Sequence, residues 1–142
     1  MDELVALVRR RLSTRQRRII DDPRMRHAAV LVPLYEERGE SYVLFTRRTD
    51  TVEHHKGQVS LPGGAEDASD AGPLATALRE TEEELGIAPA QVEILGALDD
   101  VYTVVSGFVI TPFVGVIPHP IPLRVNPHEI AEVPRGLRSH RR

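Results

Sequence analysis

Four glutamates stand within five positions of the segment RETEEELGI: Glu80, Glu82, Glu83 and Glu84. On an α-helix, which advances about 100° per residue, Glu80 and Glu84 lie about 40° apart, and Glu83 lies about 60° from Glu80 on the other side. Glu82 lies about 160° from Glu80 and Glu84 and points away. Three converging carboxylates destabilise a helix unless a positive partner joins them, and Mg²⁺ prefers such hard oxygens. The simpler interpretation is a solvated acidic face.

The helix that carries these glutamates is bounded by turn residues. Pro73 suits its first turn, and Gly86 suits the position just past its end. Its inward stripe is expected to consist of Leu74, Ala77, Leu78, Thr81 and Leu85. None of the three converging carboxylates lies on this stripe. Arg79 lies about 100° from Glu80, so it is better placed to orient a neighbouring carboxylate than to neutralise the trio.

Apolar runs predict the elements around this helix. Strands are expected at 27–35, 41–46, 91–104 and 107–117, and a short amphipathic helix at 2–12. The first two strands read as a hairpin, and residues 118–127 are proline-rich and irregular. The 142 residues therefore predict one folded domain at 27–133, with a helical segment at 1–26 before it and a basic tail at 134–142.

The composition excludes several classes of protein. The net charge of −3 gives no bulk basic field for nucleic acid or an anionic membrane, and the absence of cysteine excludes disulfides and thiolate chemistry. No apolar run approaches the ~20 residues of a membrane helix. Positive charge follows the first apolar segment, which is the wrong order for a secretory signal. We therefore expect a cytoplasmic protein that binds a small-molecule substrate and neither nucleic acid nor membrane.

The loop that precedes the helix carries groups suited to phosphate. Arg47, Arg48 and Lys56 offer hydrogen-bond donors, and arginine does so in a bidentate fork. Three glycines allow close approach of the backbone: Gly57, Gly63 and Gly64. The simpler interpretation is that the two arginines are ordinary charges at a strand end.

The segment around the helix resembles the Nudix hydrolase signature, Gly-x5-Glu-x7-Arg-Glu-U-x-Glu-Glu-x-Gly-U, where U is bulky and aliphatic. Its second half matches Arg79, Glu80, Glu83, Glu84, Gly86 and Ile87, with Thr81 at an aliphatic position. The first half is irregular. Counting back from Arg79 places the early acid on Ala71; if Gly64 is the signature glycine, the loop is one residue longer and Asp70 takes the acidic position.

A second resemblance covers about residues 27–133 and is to the coenzyme A pyrophosphatase branch of that family. The matching upstream positions are Leu44, Thr46, Arg48, Gly57, Gln58, Ser60, Pro62, Gly63 and Gly64. Downstream, the segments SGFVITPFVG and NPHEIAEV are similar to that branch as well. Glu53 stands where the branch usually has arginine, which favours altered recognition of the 3′-phosphate or a shifted substrate preference.

The resemblance implies a fold and a chemistry. The fold would be a Nudix-type α/β/α sandwich with a mixed sheet, and the reaction would be hydrolysis of a nucleoside diphosphate linked to another moiety. For coenzyme A or an acyl-CoA, the products would be 3′,5′-ADP and 4′-phosphopantetheine or its acyl form. The general base stays open among the signature glutamates, Glu129 and Glu132.

The resemblance also assigns residues. Mg²⁺ or Mn²⁺ would bind Glu80, Glu83 and Glu84, and Arg79 and Glu83 would be catalytic. The substrate would contact Arg47, Arg48, Gly57, Gln58, Gly63 and Gly64. The rival functions are hydrolysis of ADP-ribose, a dinucleotide or NADH, a catalytically silent binding module, and a structural acidic-helix protein.

The end of the chain departs from the family pattern. The fold commonly closes with a C-terminal helix, whereas VPRGLRSHRR contains proline, glycine and little apolar surface. We hypothesise that this helix is missing because the end is truncated or divergent. One face of the sheet would then be covered by residues 2–20, by the partner in a homodimer, or incompletely.

Overall fold

The computed structural model describes residues 1–48, 59–103, 107–126, 130–132 and 137–138. The described elements are α1 (Asp2–Thr14), β1 (Arg26–Glu37), β2 (Glu40–Val43), β3 (Thr46–Arg48), β4 (Val59–Ser60), β5 (Gly63–Ala65), α2 (Pro73–Leu85), a 3₁₀ turn (Pro89–Gln91), β6 (Glu93–Ala97), β7 (Val101–Thr103), β8 (Phe108–Val116), β9 (Ile130–Glu132) and β10 (Leu137–Arg138). Neither α-helix in these ranges is long and apolar enough to cross a membrane.

A mixed sheet forms the centre of the molecule. Its strands run in the order β10-β2-β1-β8-β6, with β5 beside β1 and β7 beside β8. Strands β1 and β8 are parallel and pair from Arg26–Phe108 to Leu34–Val116, and the other pairs in the sheet are antiparallel. A smaller three-stranded sheet has the order β4-β3-β9.

Both faces of the large sheet are covered. Adjacent strand residues point to opposite faces, and Leu34 and Tyr35 of β1 enter two different apolar clusters. The Tyr35 cluster includes Leu85 at the end of α2. The Leu34 cluster is covered by apolar side chains of α1: Val5, Val8 and Leu12, with Met1 before them. The predicted α/β/α sandwich is confirmed.

Helix α1 thus covers one face of the sheet. This is the first of the three alternatives expected from the sequence, cover by residues 2–20. In the described ranges no helix follows the 3₁₀ turn at Pro89–Gln91. Leu137–Arg138, inside the segment expected to be a tail, instead pairs with β2 as an edge strand.

Two strand predictions need correction. The expected strand 41–46 is divided, because β2 ends at Val43 and Thr46 leaves it to pair with Ser60 in the smaller sheet. The expected strand 91–104 is also divided. It breaks at Asp99 and Asp100, which do not pair with β8. Their carboxylates instead accept the backbone N–H groups of Arg18 and Ile20, at 2.8 and 3.0 Å.

Candidate active site

The helix α2 begins and ends where its sequence predicts. Gly72 caps it, Pro73 occupies the first turn, and Gly86 ends it in the left-handed conformation with φ 75°. Its buried residues are Thr76, Ala77, Thr81, Glu84 and Leu85. The predicted stripe is therefore wrong at Leu74, which is 37% exposed near the start of the helix.

Glu84 is the main correction to the helical geometry. It lies on the buried side of α2 and is only 1% exposed. The backbone N–H of Gly63 donates to its carboxylate at 3.3 and 3.4 Å. A Cβ at position 63 would lie 2.3 Å from the carbonyl oxygen of Ala29 on β1, so only glycine lets β5 lie this close to β1. Angular position alone could not show that a backbone donor draws one carboxylate inward.

Glu80 and Glu83 lie on either side of the Arg79 guanidinium. Nη1 of Arg79 donates to Glu80 Oε1 at 2.8 Å and to both Glu83 oxygens at 3.3 Å. The Glu80 side chain is 17% exposed and that of Glu83 is 50% exposed. Arg79 therefore does more than the sequence geometry predicted, because it neutralises two of the carboxylates. Glu82 is exposed, as expected for a residue on the other side of the helix.

The position of Glu80 depends on the loop before the helix. A Cβ at Gly64 would lie 2.7 Å from both Cδ and Oε2 of Glu80. The carboxylate therefore occupies space that any other residue at position 64 would fill. Gly63 and Gly64 thus place the backbone of β5 directly against Glu84 and Glu80.

Asp70 holds the other side of Arg79. Its two carboxylate oxygens accept from Nε and Nη2 of Arg79 at 2.9 and 3.0 Å, and Ala65 O accepts from Nη2 at 3.2 Å. Thr76 Oγ1 and the N–H of Asp67 also donate to Asp70, at 2.8 and 2.9 Å. The bonds from Arg79 and then from the Asp67 backbone hold the pKa of Asp70 well below its usual range. The same pairing with Asp70 raises the pKa of Arg79.

This arrangement favours the longer of the two alignments of the irregular loop. Alanine at position 71 has no charge to offer, whereas Asp70 forms a bidentate pair with the arginine of the helix. The longer loop that begins at Gly64 is therefore the one that delivers an acid to α2. The sequence offered Asp70 as one alternative; the contributions of Thr76 and of the Ala65 carbonyl were missed, because both depend on how the loop folds back.

The candidate substrate residues lie partly outside the described ranges. Arg47 is half-buried on β3, where its backbone pairs with Val59 on one side and Glu132 on the other. Arg48 pairs with Ile130 next to a bulge. Gly57 and Gln58, like Lys56 and Glu129, lie outside the described residues. The structure brings together Gly63, Gly64 and the α2 residues.

The donors fit a hard divalent cation by chemistry, although they are not arranged as a ligand set. In the ranges that the structure describes, no group of three His, Cys, Asp or Glu side chains could hold a metal ion as placed. The physical reason is that Arg79 Nη1 stands between Glu80 and Glu83 while Glu84 turns towards Gly63. Carboxylate oxygens on one helical turn, with one of them in the space left by Gly64, remain the donors that Mg²⁺ or Mn²⁺ prefers.

The profile of the NUDIX domain matches residues 25–135, most of the chain. The chain belongs to the Nudix family. It is similar to the protein named Uncharacterized Nudix hydrolase NudL of Cronobacter sakazakii, with 46% identity over 108 residues, which are 76% of this chain and 55% of that protein. The protein of the same name from Escherichia coli K12 is 44% identical over the same shares. The chain spans about half the length of these curated relatives.

Solved structures show the same fold at lower identity. The Nudix hydrolase RenU of M. smegmatis superposes with a TM-score of 0.66 at 24% identity, covering 80% of this chain and 71% of that one. A C. elegans Ap4A hydrolase in a binary complex gives 0.65 at 20% identity, covering 78% and 79%. The NUDIX domain of Shewanella oneidensis NrtR complexed with ADP ribose gives 0.63 at 18% identity, covering 82% and 77%.

Proposed function

We propose that the chain is a divalent-metal-dependent hydrolase of a pyrophosphate bond in a nucleoside diphosphate linked to another moiety. The observation that carries this proposal is the packing of Gly63 and Gly64 against the carboxylates of Glu84 and Glu80, with Arg79 beside them. A catalytically silent binding module has no need of the acidic turn of α2 that carries Glu80, Glu83 and Glu84. A purely structural acidic helix would not need a glycine-lined space for one of its carboxylates.

The chemistry is the transfer of a phosphoryl group to water. A water oxygen forms a bond to one phosphorus, the P–O bond to the bridging oxygen breaks, and the bridging oxygen leaves with the second phosphate. Glu80, Glu83 and Glu84 would hold Mg²⁺ or Mn²⁺. When bound, the cation supplies positive charge against the phosphates and makes water more acidic.

The residues of the chain would divide the remaining work. Glu83 would accept the proton of the attacking water, and the half-exposed position of its carboxylate supports this role. Arg79, held by Asp70, orients the Glu83 carboxylate. Arg47, Arg48 and the backbone at Gly57, Gln58, Gly63 and Gly64 would bind the phosphates.

The preferred substrate is coenzyme A or an acyl-CoA, with 3′,5′-ADP as one product. The support for this choice is the sequence of residues 44–64, which resembles the coenzyme A pyrophosphatase branch. The alternative is ADP-ribose or a dinucleotide. The support for this alternative is the fold that the chain shares with the NrtR domain complexed with ADP ribose and with an Ap4A hydrolase.

A substrate panel tests the proposal. The purified chain is incubated with Mg²⁺ and coenzyme A, acetyl-CoA, ADP-ribose, Ap4A or NADH, and the products are separated by liquid chromatography. We expect the coenzyme A compounds to give the highest kcat/KM and to release 3′,5′-ADP. A preference for ADP-ribose or Ap4A would overturn the choice of substrate alone, and no turnover of any compound would overturn the proposed function.

A further inference from the structure

Residues 121–126, here called the strap, cross the carboxyl end of α2. The N–H of Arg124 donates to Leu85 O at 2.8 Å, and the N–H of Asn126 donates to Glu84 O at 2.8 Å. Carbonyls in the last turn of a helix have no partner within the helix. The strap therefore satisfies two of them with backbone donors from a distant part of the sequence.

Side chains of the strap anchor it in the core. Ile121, Leu123 and Val125 alternate along the chain and pack against the cluster that contains Leu85 and Ile87. The contact with the end of the helix is close, because a Cβ at Gly86 would lie 2.8 Å from Arg124 Cβ and 3.0 Å from its nitrogen. The glycine that ends α2 thus serves both its left-handed conformation and the seating of the strap.

The strap acts on the turn that carries two of the candidate metal ligands. Glu84 accepts an N–H from Gly63 at its carboxylate and an N–H from Asn126 at its carbonyl, so it is fixed at both ends. Further along the chain, β9 pairs with β3, with Glu132 opposite Arg47. The chain therefore connects the end of α2 to the strand that carries the candidate phosphate arginine.

We propose that the strap is a positioning element of the active site, and that the backbone N–H of Asn126 sets where Glu83 and Glu84 stand relative to β3. This inference rests on the proposed function. It assigns a role to the proline-rich segment 118–127 that the sequence alone did not predict. Because the N–H acts through Glu84, its loss should alter metal affinity more than it alters the fold.

The variant Asn126→Pro tests this proposal, because proline has no N–H to donate to Glu84. The matched control is Val92→Ala, which keeps the strap and both of its hydrogen bonds and removes packing from the same apolar cluster. The readouts are Mn²⁺ affinity without substrate, by electron paramagnetic resonance, and kcat and KM as functions of Mg²⁺ concentration. Thermal unfolding of both variants shows how much stability each has lost.

We expect Asn126→Pro to weaken Mn²⁺ binding about tenfold, as losses of outer partners of metal ligands commonly do. Its kcat should recover at high Mg²⁺, because the ligands are displaced and not removed. Val92→Ala should lose stability while its Mn²⁺ affinity stays within about twofold of wild type. Equal Mn²⁺ affinity in the two variants, or a kcat that high Mg²⁺ does not restore, would overturn the proposal.

A measurement on the unaltered chain covers the case in which Asn126→Pro does not fold. Since coupling between two parts of a molecule is reciprocal, saturating Mg²⁺ should slow hydrogen exchange at the amides of Arg124 and Asn126. Unchanged exchange there, in a chain that binds Mg²⁺ and turns over substrate, would overturn the role of the strap alone. A chain that neither binds Mn²⁺ nor turns over any substrate would overturn the proposed function.

Discussion

Replacing Gly64 with alanine should disable the site without unfolding the protein. The new Cβ would lie 2.7 Å from both Cδ and Oε2 of Glu80 and 3.1 Å from Cγ. Non-bonded carbon atoms are comfortable at about 3.5 Å or more, so the carboxylate must move by about 0.8 Å. The φ of Gly64 lies outside the left-handed region, so alanine adds no backbone strain.

The size of the effect follows from this displacement. A catalytic group misplaced by about 1 Å can cost roughly 10²-fold in rate. We therefore expect kcat/KM of Gly64→Ala to fall about 10- to 100-fold, or about 1.4 to 2.8 kcal/mol in the barrier. Stability should change little, because the atoms that must move are the end of a flexible side chain.

The assay compares kcat/KM and thermal unfolding with those of Gly63→Ala. In Gly63→Ala the new Cβ would clash with the main chain, because it would lie 2.3 Å from Ala29 O and 2.6 Å from Val30 Cα. That variant should lose about 1–3 kcal/mol of stability. If Gly64→Ala acts through Glu80, it should have no further effect on activity in a Glu80→Gln background. Wild-type activity in Gly64→Ala, or additive losses in the double variant, would refute the reasoning.

Two further predictions concern buried carboxylates, and a third concerns an exposed ion pair. Asp70→Asn should lower the Tm at pH 7. Because Arg79 depresses the pKa of Asp70 in the folded state, the stabilisation is complete above the unfolded pKa of about 4 and is lost as the pH falls below it. The difference in Tm between wild type and Asp70→Asn should therefore shrink below about pH 4, and a constant difference would contradict this origin. Asp100→Ala should cost about 3 kcal/mol in urea unfolding, because the Asp100 side chain is 4% exposed and accepts from Arg17 Nη1 at 2.7 Å. Arg9→Ala, which removes the exposed pair with Glu93, should cost less than about 1 kcal/mol, and a loss as large as that of Asp100→Ala would contradict the assigned burial.

Local sequence patterns predicted the parts of the fold that depend on local chemistry. Pro73 and Gly86 marked the ends of α2 correctly, and the apolar runs located β1 and β8. The helical angles separated Glu82 from the other glutamates. These features depend on periodicity and on the conformational limits of proline and glycine, which the sequence contains directly.

The remaining features depend on contacts between distant segments. Glu84 is buried because a backbone N–H of β5 reaches it, and a helical wheel does not contain that donor. The strap was expected to be irregular because Pro122 within it, together with Pro118, Pro120 and Pro127 on either side, masks the alternation of Ile121, Leu123 and Val125. The strand break at Asp99 likewise follows from donors more than 80 positions earlier in the chain, among them the Arg18 N–H.

The most direct test of the account compares Glu83→Gln with Glu82→Gln. Both variants remove one negative charge from α2, and both glutamates are exposed on that helix, but only Glu83 contacts Arg79 on the side of Glu80. The measurement is the Mg²⁺-dependent release of 3′,5′-ADP from coenzyme A, or of the product from the best substrate of the panel. We predict that Glu83→Gln loses at least about 10²-fold in kcat while Glu82→Gln stays within about twofold of wild type. Equal rates in the two variants would contradict the assignment of the acidic turn as the catalytic metal site.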